Sequence, residues 1–392
     1  MIEPTCCTYC GSADIKKYGV KRYRTRTAQR YHCDSCGRAW QVVTSAALTE
    51  FESSIPEINS GPQTIDWPSY NEAQMQEKLR FLEILSDLCS YVPDEETGQV
   101  GRPRASLSEM TFCMVAKLYE GLSSRRVSSD LELARKAGHI DKVPHFNTLL
   151  KYFNDTRMGP VLESLIRLSA LPLKDMETTF AIDASGLSSA FYSRWFDVRL
   201  DPGKKGHDWI KIHIVCGTKT NIITAITVTD GDGADSPQFP ELLNKTAEHF
   251  RVKEITADKT YSSRNNMDIA FQLGAVPYIP FKVNATGKSK GSMAWWRMFH
   301  YFQYHKDKFM ARYHQRSNVE STFSMLKRKF SGKLMMKNEQ AQVNEALAKL
   351  LCHNICVLIR ESYESGVRAD FEASAHLFPV LHTNTGPLIS ED

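Results

Sequence analysis

The sequence predicts a mixed α/β domain carried behind a helical region and a small cysteine-rich module. Three observations lead there. Two Cys-x-x-Cys pairs stand within the first 36 residues, apolar residues recur at helical spacing from about 76 to 172, and from Thr178 onward short β-rich runs alternate with helical stretches. The 392 residues, 42% hydrophobic and 24% charged, suit two or three globular domains and exclude wholesale disorder and a disulfide miniprotein. No apolar run reaches the ~18–20 residues of a membrane span. The start MIEPTCC has no secretory pattern, so a soluble cytoplasmic protein without a membrane partner is expected.

The first module, residues 1–45, holds Cys7, Cys10, Cys33 and Cys36, with 22 residues between the pairs and a Gly after each. Two thiolate pairs at this spacing suit one tetrahedral structural Zn²⁺, and so short a span needs metal to fold. The competing readings are two disulfides or four free thiols. The module carries eight Lys/Arg against three Asp/Glu, among them Arg22, Arg24 and Arg26, interleaved with tyrosines. That pattern suits phosphate contact, with protein contact as the alternative. Residues 46–75, Ser/Pro-rich and acidic, read as a linker. Residues 76–175 read as helices, the second starting at Ser106 or Ser108 and ending at Gly121, with short helices and Gly turns compatible with a DNA-binding helix-turn-helix or with a plain bundle.

Residues 176–365 follow a different plan. Strands are expected at Thr179–Asp183, Arg194–Leu200, Ile210–Cys216, Ile222–Val228, Glu254–Ala257 and Val276–Ile279, with helices over about 238–249 and 262–273. Meandering strands followed by helix, strand, helix, strand suit a ribonuclease-H-like sheet. Residues 366–392 are left as a tail. On this plan Asp183 ends the first strand and Asp258 ends the strand Glu254–Ala257. Those strands are neighbours in such a sheet, so a shared divalent cation would relieve the repulsion of the two carboxylates. A third acid comes from the stretch Tyr313 to Lys327, read as one helix. At about 100° per residue, Arg316 lies ~300°, Glu320 ~340° and Lys327 ~320° from Tyr313, a single wedge of about 60°. The bland alternative is a solvated face with an Arg316–Glu320 pair.

The spacing Tyr313-(2)-Arg316-(3)-Glu320-(6)-Lys327, with Asp183 and Asp258 before it, resembles the DDE transposases of prokaryotic insertion sequences. The blocks Ala181-Ile-Asp-Ala-Ser-Gly, Ala257-Asp-Lys-Thr-Tyr-Ser-Ser and Arg316-Ser-Asn-Val-Glu-Ser-Thr-Phe look like the three blocks of that family, although Thr260 stands where the family often has Gly. The resemblance spans about 178–360. It implies that Asp183, Asp258 and Glu320 hold two Mg²⁺ or Mn²⁺ ions and are catalytic. It also implies that Tyr313, Arg316 and Lys327 contact DNA at the scissile end. The partners it implies are double-stranded DNA, as transposon ends and target, and a second copy of the chain in a homodimer.

Residues 282–333 hold twelve Lys/Arg against Asp307 and Glu320, interleaved with Trp295, Trp296, Phe299, Tyr301, Phe302 and Tyr304. This stripe suits a DNA end, or an aromatic helix packed on the sheet. Gly287-Lys288-Ser289 lacks the leading Gly of a phosphate loop, and Asp230, Asp232 and Asp235 read as turn and cap residues. The function expected is a transposase that cleaves the ends of its element and joins them to target DNA. A transposase-derived DNA-binding protein without catalysis, or a structure-specific nuclease, are the alternatives.

Overall fold

The computed structural model describes residues 4, 6, 7, 9–22, 27–41, 50, 51, 53, 55, 66–94, 105–189 and 209–381. In chain order the small strands β1 (Ile15–Arg22), β2 (Thr27–Cys33) and β3 (Ala39–Gln41) come first. Helix α1 (Trp67–Ser90) begins inside the stretch read as linker, because Pro68 at its first turn starts a helix as readily as it breaks one. Helix α2 (Leu107–Glu120) is bounded as expected. Ser106 accepts a hydrogen bond from the Glu109 amide, and Gly121, at φ 65°, closes the helix in the left-handed conformation. There follow α3 (Ser128–Lys136), α4 (Phe146–Phe153) and α5 (Met158–Ala170).

The mixed region contains β4 (Thr179–Ser188), β5 (Trp209–Gly217), β6 (Ile223–Asp230), α6 (Phe239–Ala247), β7 (Glu254–Ala257), α7 (Arg264–Gln272) and β8 (Val276–Tyr278). It continues as α8 (Met293–Tyr304), α9 (Lys306–Tyr313), α10 (Ser317–Phe330) and α11 (Glu339–Glu364). The expected strand at Arg194–Leu200 and the end of the tail from 382 lie outside the described residues.

The chain divides into two bodies, one of residues 1–62 with 254–316, the other of 63–253 with 317–392. In the second, β4, β5 and β6 form an antiparallel ladder. Asp183 sits opposite Ile214, Ala184 opposite His213, and Ile214 opposite Ile226. The ladder continues to Ser188 opposite Trp209, so Asp183 stands mid-strand and not at the strand's end. The strand expected from the sequence ends at Asp183, before Ala184-Ser185-Gly186, and so is too short. Pairing with β5 extends it to Ser188. A Cβ at Gly186 would lie 2.9 Å from the Trp209 ring, which would have to shift to admit it.

Helix α11 is the core element of this body, with Leu350, Leu351 and Ile355 fully buried. Buried Asn354 ties it to its neighbours. Its amide nitrogen donates to Ile166 O, Ser169 Oγ and Ile223 O, and its Oδ1 accepts from Ile223 N at 2.9 Å. Helix α10 packs on β4 and β5 through Val319, Thr322, Phe323 and Leu326.

In the first body, β1–β2–β3 is antiparallel, while β7 and β8 pair in parallel, Glu254 opposite Val276 and Thr256 opposite Tyr278. The combination of antiparallel and parallel pairing with helices is the mixed α/β plan expected. Half of the six aromatic residues of α8 are core. Trp295, Phe299 and Tyr301 are buried, and Phe281 meets Trp295 and Phe299 edge-on at 4.8 and 5.1 Å. Their place in the basic stripe is therefore taken by packing. Arg312, one of the twelve basic residues of that stripe, is buried and paired with Glu254.

Candidate metal centre and acidic site

The cysteines come together as their spacing predicts. One ligand atom from each of Cys7, Cys10, Cys33 and Cys36 lies within 4.8 Å of the others, the only such group of three or more His, Cys, Asp or Glu found among the described residues. The two knuckles are built alike: Gly11 N donates to Cys7 O and Gly37 N to Cys33 O, both at 2.9 Å, with both glycines at positive φ. Only glycine takes that conformation without strain. Sulfurs meet across the knuckles, Cys7 to Cys36 and Cys10 to Cys33, each at 3.6 Å. A tetrahedral ion with Zn–S near ~2.3 Å would hold its sulfurs about 3.8 Å apart, so the cluster fits zinc. A disulfide would need sulfurs near ~2.0 Å.

Burial pushes the Cys7 thiol up to about 12. Burial acts the same way on Cys33, but the Cys36 amide and the neighbouring thiols outweigh it and draw that thiol down to about 7. Around the cluster, Tyr31 and Trp40 stack with centroids 5.9 Å apart. Arg22 is exposed at the end of β1, whose outward residues include Lys16, Lys17 and Lys21. Arg24 and Arg26 lie outside the described residues.

Of the other predicted residues, Asp183, Glu320 and Lys327 belong to the second body and Asp258, Tyr313 and Arg316 to the first. Asp183 is half-buried, and its Oδ1 accepts from the Ala184 amide at 2.9 Å. Glu320 is exposed in the first turn of α10, where a carboxylate is favoured by the helix dipole. Lys327 stands two turns further along, about 20° from Glu320 in projection, hence on the same face. Its ammonium donates to Ser185 Oγ at 2.7 Å, and burial lowers its pKa below that of an ordinary lysine. Ser185 is two residues from Asp183, on the same face of β4. Sequence reasoning missed Ser185. Its alternation with Asp183 was the available signal, hidden by ending the strand at Asp183.

Asp258 follows β7 and caps a 3₁₀ turn, Lys259–Tyr261, accepting from Thr260 N at 2.6 Å. A side chain at residue 260 is compatible with that cap, because the bond uses only the amide. The expected single helix from Tyr313 to Lys327 is corrected. Tyr313 ends α9, His314–Arg316 form a 3₁₀ turn, and α10 starts at Ser317. The uniform 100° step therefore holds for Glu320 and Lys327 and fails for Tyr313 and Arg316, with no Gly or Pro in the sequence to mark the change. Arg316 lies over the Tyr313 ring at 6.0 Å.

An antiparallel strand ladder with a mid-strand acid, a helix presenting acid and lysine on one face, and a parallel strand pair followed by a second aspartate are consistent with a ribonuclease-H-like DDE fold, and the small antiparallel sheet carries a four-cysteine cluster. Residues 174–355, just under half of the chain, match the family model of the transposase DDE domain, and that segment is similar to the DDE transposases. A curated relative, described as the probable transposase for insertion sequence element ISA1214 of Archaeoglobus fulgidus, is 24% identical over 293 residues, covering 74% of this chain and 86% of the relative. No solved structure matches the chain. Among the described residues no helix is long and apolar enough to cross a membrane.

Proposed function

We propose that the protein cleaves the ends of an insertion sequence and joins them to target DNA, with Asp183, Asp258 and Glu320 as its catalytic acids. The observation that carries this reading is the bond from Lys327 to Ser185. It ties the face of α10 that presents Glu320 to the strand face that presents Asp183. Three carboxylates are hard oxygen donors and fit Mg²⁺ or Mn²⁺, two ions of which would activate an attacking oxygen and stabilise a leaving one.

The remaining roles belong to the chain itself. Lys327 supplies positive charge beside the acids and meets a phosphate oxygen as a point charge. Arg316 offers a bidentate grip on a second phosphate. Tyr313 hydrogen-bonds or stacks at the end being processed. Cys7, Cys10, Cys33 and Cys36 hold one structural Zn²⁺, and Arg22, Arg24 and Arg26 contact the DNA backbone. The helical region 76–175 reads the sequence of the element ends, because an acidic metal site reads none. Two copies of the chain pair two ends. The test is incubation of full-length protein with duplexes carrying the terminal repeats of its own element and Mg²⁺. Nicking at the repeat boundary and joining to target DNA are expected. Bound but uncut DNA with both Mg²⁺ and Mn²⁺ would leave a DNA-binding protein in place of an enzyme.

A further inference from the structure

The second body contains a cavity of about 630 Å³, lined by none of the three acids. Its walls are the C-terminal turn of α2, the 121–125 turn, the start of α4 and the 331–338 segment after α10. Its volume falls within the ~300–1,000 Å³ of small-molecule sites. Its charge is one-sided. Lys117, Arg125, Lys333, Lys337 and Lys349 line it against Glu345 alone. Glu345 is already engaged, by Lys349 at 2.9 Å and by the amides of Met335 and Met336 at 2.8 and 2.9 Å.

Lys117 differs from the others. It is 5% exposed and makes no hydrogen bond or ion pair with a described residue. Its ammonium lies 5.5 Å from the Phe153 ring centroid. A buried ammonium with no direct hydrogen bond is costly, and this one borders open volume. Burial lowers its pKa, with the Glu345 charge opposing the shift and Lys349 adding to it. The mouth is apolar. Leu150 and Met335 are 38% and 48% exposed, and Arg125 covers the Phe146 ring at 4.5 Å.

We propose that this cavity binds a nucleoside phosphomonoester, with the phosphate on Lys117 and Arg125 and the base against Phe146, Leu150 and Met335. An anion is required by the charge balance, and a flat apolar group by the mouth. A phosphomonoester, attached to chain on one side only, reaches a buried lysine more easily than an internal phosphodiester. Its source is either the 5′-phosphorylated end of a DNA strand or a free nucleotide. The first source rests on the transposase reading, and the second does not.

Full-length protein is titrated with matched duplexes bearing a 5′-phosphate or a 5′-hydroxyl, and separately with a free deoxynucleoside 5′-monophosphate. If the strand end is the ligand, the phosphorylated duplex binds about tenfold more tightly, the worth of one charge-assisted hydrogen bond, and Lys117→Met removes the preference. If a free nucleotide is the ligand, it binds in a Lys117-dependent manner even where no duplex does, which separates failure of the transposase reading from failure of this one. Arg125→Glu, on an exposed turn that does not support the core, weakens whichever ligand binds and serves where Lys117→Met fails to fold. Equal affinity for both duplexes, together with no Lys117- or Arg125-dependent binding of the free nucleotide, overturns the assignment.

Discussion

Lys327 touches Ser185, and that single contact makes the role of the lysine testable apart from the acids. Lys327→Ala should leave the carboxylates in place and lower cleavage on the order of 10²-fold through misplacement of the DNA end. Ser185→Ala should cost less, because it frees the ammonium without removing it. Single-turnover cleavage under saturating DNA separates the two; equal losses would assign Lys327 a structural role. A second residue sets a pH dependence. Buried His353, whose Nε2 donates to Asn221 O at 2.9 Å, is pushed by burial from 6.5 down to about 4. The folded state then binds fewer protons than the unfolded chain below pH 6.5. Its contribution to stability is full above about 6.5 and is lost as pH falls toward 4, by at most ~1.4 kcal/mol per pH unit. Denaturation midpoints at pH 7.5, 6 and 5 should fall in that order, and more steeply than in His353→Gln.

At the level of elements, the four-cysteine module predicts that chelation unfolds β1–β3 and that Cys33→Ser does the same. Loss of metal on chelation without loss of the amide protection of residues 27–41 would contradict this. Asn354→Ala should destabilise the second body by about 3 kcal/mol or more, since it strands several buried backbone and side-chain partners, Ile223 N among them. What was legible in the sequence follows the same physics. The strand Glu254–Ala257 and the caps Ser106 and Gly121 could be read because each depends on nearby residues alone. The end of β4 and the 3₁₀ turn at His314–Arg316 could not. Cross-strand pairing decides the first, and tertiary packing without a Gly or Pro accompanies the second.

For the whole molecule, the order of acids along the chain was visible before the structure, as was the cysteine frame. The basic stripe was misread in part, because Arg312 is consumed by buried Glu254, and composition cannot tell a paired cation from a free one. Ser185 was hidden by ending the strand at Asp183, and the Lys117 cavity was invisible because segments far apart in sequence build it. The central claim is the proposal that Asp183, Asp258 and Glu320 act as one catalytic set. Its most direct measurement is end cleavage by Asp183→Ala, Asp258→Ala and Glu320→Ala, each compared with the parent at equal DNA occupancy and saturating Mg²⁺. Each substitution alone should lower cleavage by orders of magnitude, the triple variant should be scarcely worse than any single one, and DNA binding should persist. A Glu320→Ala protein that cleaves its element ends at the parent rate would contradict the claim.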